Sequence, residues 1–177
     1  ILTIEKDKRF NLDLIINPAH TSSKFGETIN EINEIKIKNK IFLNFEYKNS
    51  NTKSIISYFT NIVKEIANYV EKYEPAWLEE PTRPGDLPAL KSVRQHTRLP
   101  IATGERLYGA PEFRELWATE SVDVIQPDIT QTGGILEAKK ISSMAENYSI
   151  MVAPHNVGGI ISTKASVSLV FTLRNGK

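Results

Sequence analysis

Cysteine is absent from the 177 residues, which excludes disulfides, thiolate metal sites and a cysteine nucleophile and leaves the redox compartment open. An excess of either charge is absent too. Against 22 Lys+Arg stand 21 Asp+Glu, a formal net charge of +1, so nothing suggests an acidic tail or a polyanion-binding surface, and nucleic acid is not an expected partner. No apolar run approaches the roughly 20 residues of a membrane span. The first residues, Ile1-Leu2-Thr3-Ile4-Glu5-Lys6-Asp7, lack the charged-then-apolar pattern of a signal peptide, so a soluble cytoplasmic protein with no membrane partner is expected. Also missing are a Ser-His-Asp order, a phosphate-binding loop and a dinucleotide fingerprint.

Proline and glycine are scarce in the first part of the chain. Of 9 prolines only Pro18 precedes Pro75, and of 9 glycines only Gly26 precedes Gly85. From Tyr73 onward, strand-like segments at 76–79, 100–103, 122–126 and 149–153 alternate with helical patterns at 86–96, 111–119, 134–147 and 160–173. Such alternation predicts parallel strands joined by crossover helices. Pro111 fits a first helical turn, and Gly133-Gly134 fits a tight turn into the next helix. Within residues 1–72 the pattern is less regular. Strands are predicted at 12–16 and 41–45 and helices at 26–35 and 54–72, with Lys48–Lys53 as a loop. The chain divides on this reading into residues 1–72, uncertain N-terminal βα units, and residues 73–177, a regular βα portion. The fold class is α/β, a partial (β/α)₈ TIM-type barrel, because a complete barrel typically needs about 250 residues.

Four polar residues end four successive apolar runs: Glu79, Glu105, Asp128 and His155, spaced 26, 23 and 27 residues apart. In a barrel, groups at the C-terminal ends of different strands converge on one mouth. Three acids and a histidine there suggest a metal-assisted acid/base site. Glu79 and Glu105 are hard oxygen donors that suit Mg²⁺. His155 is a candidate base, with Asp128 placed to orient its ring. Plainer roles are open to each: surface acids for Glu79 and Glu80, an ion pair of Glu105 with Arg106, a loop cap for His155, and a cap by Asp128 on the helix after Gly133. His20 and His96 read as surface residues, and Trp77 and Trp117 as packing residues. Lys36-Ile37-Lys38 reads as a solvated face, and Gly158-Gly159 as a turn.

Trp77-Leu78-Glu79-Glu80-Pro81, Ile101-Ala102-Thr103-Gly104-Glu105-Arg106-Leu107, Gln126-Pro127-Asp128, Gly133-Gly134-Ile135 and Ala153-Pro154-His155-Asn156 together resemble the enolase superfamily. Within it they are most similar to the mandelate racemase group and its galactonate dehydratase-type acid-sugar dehydratases, over about residues 69–175. The resemblance implies a barrel like the enolase C-terminal domain, with neither a complete capping domain nor the last strand in the chain. It implies Glu79 and Glu105 as Mg²⁺ ligands, with the first ligand position falling to Asn44 or Glu46, and Asp128 and His155 as the acid/base dyad. The implied reaction is removal of the proton α to a sugar-acid carboxylate through an enediolate, followed by loss of the β-hydroxyl. A racemase or epimerase of the same superfamily and a truncated homologue without catalysis are the competing readings. A homo-oligomer is expected from the resemblance and from open sheet edges.

Overall fold

The computed structural model describes residues 7–26, 28–45 and 51–177, in two compact units, residues 1–66 and 67–177. Glu46, one of the two residues implied for the first metal ligand, lies outside the described residues.

The first unit holds two parallel strands, β1 (Asp13–Ile16) and β2 (Asn39–Phe42), in register from Asp13 opposite Asn39 to Ile16 opposite Phe42. Parallel pairing demands a crossover between the strands. Here it is made of 3₁₀ turns at Pro18–Thr21 and Ser23–Phe25 and one short helix, α1 (Ile29–Glu34). The helix expected over 26–35 is therefore shorter at its start. Gly26, in the left-handed region at φ 90°, closes the second 3₁₀ turn and delays the helix. Asn17 accepts from the Ala19 N–H and places Pro18 in the first turn, where its missing N–H costs nothing. The long helix α2 (Thr52–Val70) follows, and buried Tyr58 donates its hydroxyl back to Asn17.

The second unit is four βα repeats. Strands β3 (Leu78–Glu79), β4 (Ile101–Thr103), β5 (Val124–Ile125) and β6 (Met151–Val152) lie side by side in chain order, every pair parallel. The helices are α3 (Leu87–Arg94), α4 (Gly109–Ala118), α5 (Ile129–Thr132), α6 (Ile135–Glu146) and α7 (Ile160–Val170). This is the α/β parallel architecture expected from the alternating pattern. Asn175–Lys177 adds a further parallel rung to β6: the Val152 N–H donates to the Asn175 carbonyl at 2.8 Å and the Lys177 N–H to the Val152 carbonyl at 2.8 Å.

Strand side chains Ile101, Val124, Ile125 and Val152 are fully buried, and Val93, Phe113, Ile141 and Leu169 close over them from the helices. Burial of each such side chain contributes about 1.5–3 kcal/mol before entropy is subtracted. Adjacent strand residues Ile101 and Ala102, and Val124 and Ile125, are all fully buried, so both faces of these strands are covered and they read as unbroken apolar runs rather than as alternation. Local polar contacts fix the turns between them. Asp86 accepts from the Ala89 N–H at 3.2 Å to start α3, and Pro111 sits in the first turn of α4. Gly133 and Gly134, at φ 108° and 93°, take the backbone from α5 into α6 through conformations that a side chain would strain. Among the described residues, no helix is long and apolar enough to cross a membrane.

Candidate active site

Parallel register brings the C-terminal ends of β3 to β6 to one end of the sheet, so the residue that ends each strand or follows it faces the same region. Glu79 is paired in register with Ala102, three residues before Glu105, and Thr103 with Ile125, three residues before Asp128. Ile125 pairs with Val152, three residues before His155.

Asp128 is 2% exposed and every oxygen is engaged. Oδ1 accepts from the Thr130 N–H at 2.7 Å and the Thr130 hydroxyl at 2.5 Å, and Oδ2 faces His155 Nδ1 at 2.9 Å. Burial is the largest single influence on its acidity and pushes the carboxyl up. The Thr130 hydroxyl, the His155 ring and the Thr130 N–H together outweigh it and hold the carboxyl below its ordinary value. A carboxyl lowered in the folded state contributes stability that is present above its unfolded value and is lost as pH falls through the folded one. Asp128→Asn is accordingly expected to flatten the acid limb of the stability curve, read as the dependence of the urea midpoint on pH across the carboxylate range. An unchanged acid limb would show that Asp128 is not coupled to folding.

The other ring nitrogen of His155, Nε2, lies 3.3 Å from Glu105 Oε2. The imidazole thus sits between two carboxylates, one on each nitrogen. A neutral ring has a single N–H and can donate to only one of them. Donation from Nδ1 to the buried Asp128 leaves the Nε2 lone pair on the Glu105 side.

Glu79 Oε2 accepts from the Trp77 indole N–H at 2.8 Å and from Gln126 Nε2 at 2.6 Å. These two hydrogen bonds, the indole first, hold the Glu79 carboxyl below its ordinary value against a smaller opposing effect of burial, with the His155 charge adding to the lowering. Gln126 is 4% exposed, and its Oε1 is buried without a hydrogen-bond partner.

Of the residues singled out in the sequence, His155 contacts both Glu105 and Asp128, and Glu79, bonded to Trp77 and Gln126, lies near enough for the charge of His155 to act on it. Asn44 is exposed just beyond β2, in the first unit. The plainer roles are partly filled as well. Asp128 does cap a helix, but it is α5; the helix after Gly133 takes its N-cap from Gly134. Arg106 reaches Glu105 only at 3.5 Å, with 66% of its side chain exposed, a contact worth little in water. His20 and His96 are exposed and contact Thr28 and Asn68. Lys36 and Lys38 are exposed ahead of β2. Trp117 packs in the core at 2% exposure and stacks on Tyr148, whereas Trp77, expected to pack, is a hydrogen-bond donor to the site. Trp77, Gln126 and Thr130 were not anticipated as site residues. Trp77 and Gln126 each stand two positions before such a residue, a spacing that puts side chains on one face of extended backbone, and Thr130 is the second residue of the helix that Asp128 caps.

Among the described residues, no three His, Asp or Glu side chains are grouped as a cage for a metal ion. Two carboxylates are nonetheless a fitting donor set for Mg²⁺, which keeps several waters and uses one or two protein carboxylates beside substrate oxygens. Glu79 supports that fit, because its donors occupy Oε2 and no hydrogen bond occupies Oε1.

A parallel β/α sheet with acids and a histidine at its strand ends defines a barrel-type α/β domain. The chain belongs to the enolase C-terminal domain-like family, which its residues 60–177 match. It is 39% identical over 112 residues to the D-xylonate dehydratase of Haloferax volcanii, covering 63% of this chain and 27% of that protein. With the D-galactonate dehydratase of Ralstonia pickettii it shares 34% identity over 114 residues, 64% of this chain and 30% of the relative. The crystal structure of a mandelate racemase/muconate lactonizing enzyme from Sulfitobacter sp. superposes with a TM-score of 0.65 at 28% identity, over 90% of this chain and 37% of that one. The chain therefore spans about three-tenths of the length of these curated relatives.

Proposed function

We propose that the protein is a Mg²⁺-dependent sugar-acid dehydratase, a hydro-lyase that removes the proton α to a carboxylate and expels the β-hydroxyl. The observation that carries this reading is His155, held by Asp128 at Nδ1 with Nε2 turned toward Glu105. The dehydratase relatives supply the substrate class. Glu79 and Glu105 would hold the metal ion. When bound, Mg²⁺ supplies positive charge to the substrate carboxylate as negative charge develops there.

The remaining steps belong to side chains of this chain. His155 Nε2 takes the α-proton, and the C–H electron pair moves into the carboxylate to give an enediolate. Asp128 stabilises the resulting imidazolium and keeps its ring oriented, as an acid partner does in other His–Asp pairs. Its lowered pKa suits that role, because it stays ionised while the ring charges. The enediolate electrons then expel the β-hydroxyl, which takes the proton from the His155 imidazolium as its C–O bond breaks and leaves as water, and the enol product tautomerises to a 2-keto-3-deoxy acid.

The test is proton NMR of xylonate, gluconate and galactonate with the protein and Mg²⁺ in D₂O. The expected result is a 2-keto-3-deoxy product from at least one of them. Deuterium at the α-carbon without loss of water would replace the dehydratase by an epimerase, and neither change in any substrate would leave a homologue without catalysis.

A further inference from the structure

We propose that Glu80 is a positioning residue, one that fixes the Gly104–Glu105 turn against the end of β3 and so holds Glu105 opposite His155. The proposal deepens the reading above and rests on Glu105 belonging to that site.

Glu80 follows Glu79 directly, and its backbone is in the left-handed region at φ 42°, one of four such non-glycine residues among those described. The twist parts the two neighbouring carboxylates. Glu79 turns to Trp77 and Gln126, whereas Glu80 Oε1 accepts from the Thr103 hydroxyl at 2.5 Å and from the Gly104 N–H at 2.9 Å. The Glu80 N–H completes the clamp by donating to the Ala102 carbonyl at 2.9 Å.

The clamped turn has one bond of its own, from the Leu107 N–H to the Gly104 carbonyl at 3.2 Å, and no side chain at position 104 to add another. Gly104 sits at φ 125°, and a Cβ there would lie 2.8 Å from the Phe113 ring and 3.3 Å from the Gln126 nitrogen. Only glycine fits, so position 104 has no side chain with which to fix the turn. A side-chain oxygen accepting from its N–H at the end of the adjacent strand supplies that constraint. Glu105 is the next residue.

The experiment follows the Glu105 amide, the His155 Nε2 signal and the Thr130 amide by NMR in the full chain, for the wild type, Glu80→Ala and Glu80→Gln. In E80A the Glu105 and His155 Nε2 signals are expected to shift while the Thr130 amide, which reports the Asp128 end, stays in place. E80Q retains an oxygen for Thr103 and Gly104 and is expected to restore both signals. Mg²⁺ titrations alongside should show E80A binding about tenfold more weakly, as loss of an outer-shell partner does, and E80Q close to wild type.

Unmoved Glu105 and His155 Nε2 signals in E80A, a shift that spreads to Thr130, or no rescue by E80Q would each overturn the proposal. Should E80A not fold, Thr103→Val removes one of the two donors and is judged by the same signals. A wild-type chain that takes up no Mg²⁺ counts against the dehydratase reading alone, and the NMR comparison still decides the role of Glu80.

Discussion

Replacement of His155 by Asn is expected to slow exchange of the substrate α-proton by about 10²–10⁴-fold, the range contributed by a positioned general base, with Mg²⁺ affinity unchanged. Asparagine is the informative choice because of Asp128. That carboxylate is buried, and its Oδ2 faces the His155 ring. An alanine would leave a buried charged acceptor unpartnered, at a cost of about 1–3 kcal/mol or more, and would confound lost chemistry with lost stability. The Asn amide still presents an N–H toward Asp128 but has no nitrogen that takes up a proton near neutral pH. Deuterium exchange followed by NMR, with the melting temperature as control, separates the two effects. Exchange at the wild-type rate in H155N would remove His155 from the reaction.

Asp128 enters the same comparison from the other side. Its Oδ1 is saturated by Thr130, so only Oδ2 is turned to the ring, and the contact is directional. The carboxylate therefore selects the Nδ1–H tautomer and leaves Nε2 free to accept. The two residues act as one device, and combining their substitutions should cost little more than the His155 change alone.

Much of this arrangement is legible in the sequence because a β/α repeat has a regular beat. Apolar runs ended by Glu79, Glu105, Asp128 and His155 recur at repeat length, and parallel pairing converts equal positions in the repeat into one spatial cluster. The strands themselves are shorter than the runs that announce them. Apolar residues such as Val122 and Ile150 stay buried beyond the paired rungs, so burial extends further than hydrogen bonding. Helix α5 escapes periodicity, since four residues make one turn; its signature is Asp128 followed by Thr130, an N-cap acceptor and the N–H that it captures. The left-handed backbone of Glu80 has no signature, because glutamate has neither the freedom of glycine nor the short polar side chain that lets Asn or Asp bond locally there. Trp77 was assigned to packing by residue type alone, although its place two residues before Glu79 put it on the same face. In the first unit the helix that periodicity implies over 26–35 shortens to Ile29–Glu34, and the two 3₁₀ turns before it, of three and four residues, are too short for periodicity to register.

Glu105→Gln is expected to reduce Mg²⁺ affinity by about 100-fold or more, beyond the 10–100-fold that removal of an outer-shell partner costs, and to abolish α-proton exchange with it. Glu105 is the residue whose proposed role as a ligand competes with its contact to the ring, since one of its two oxygens faces His155 Nε2 at 3.3 Å. Glutamine separates the roles. It keeps a neutral oxygen within reach of the ring but removes the negative charge that a hard dication requires of its ligands. Glu79→Gln should weaken Mg²⁺ binding likewise, and there the Trp77 and Gln126 donors would face a neutral amide in place of a carboxylate. Isothermal titration with Mg²⁺ and exchange in D₂O, run on E79Q, E105Q and H155N together, give a pattern rather than a single number. The two glutamate variants should lose both metal and exchange, and the histidine variant exchange alone. If E105Q binds Mg²⁺ as the wild type does and loses only exchange, Glu105 is a partner of His155 and not a ligand, and the metal must be held by Glu79 with other groups.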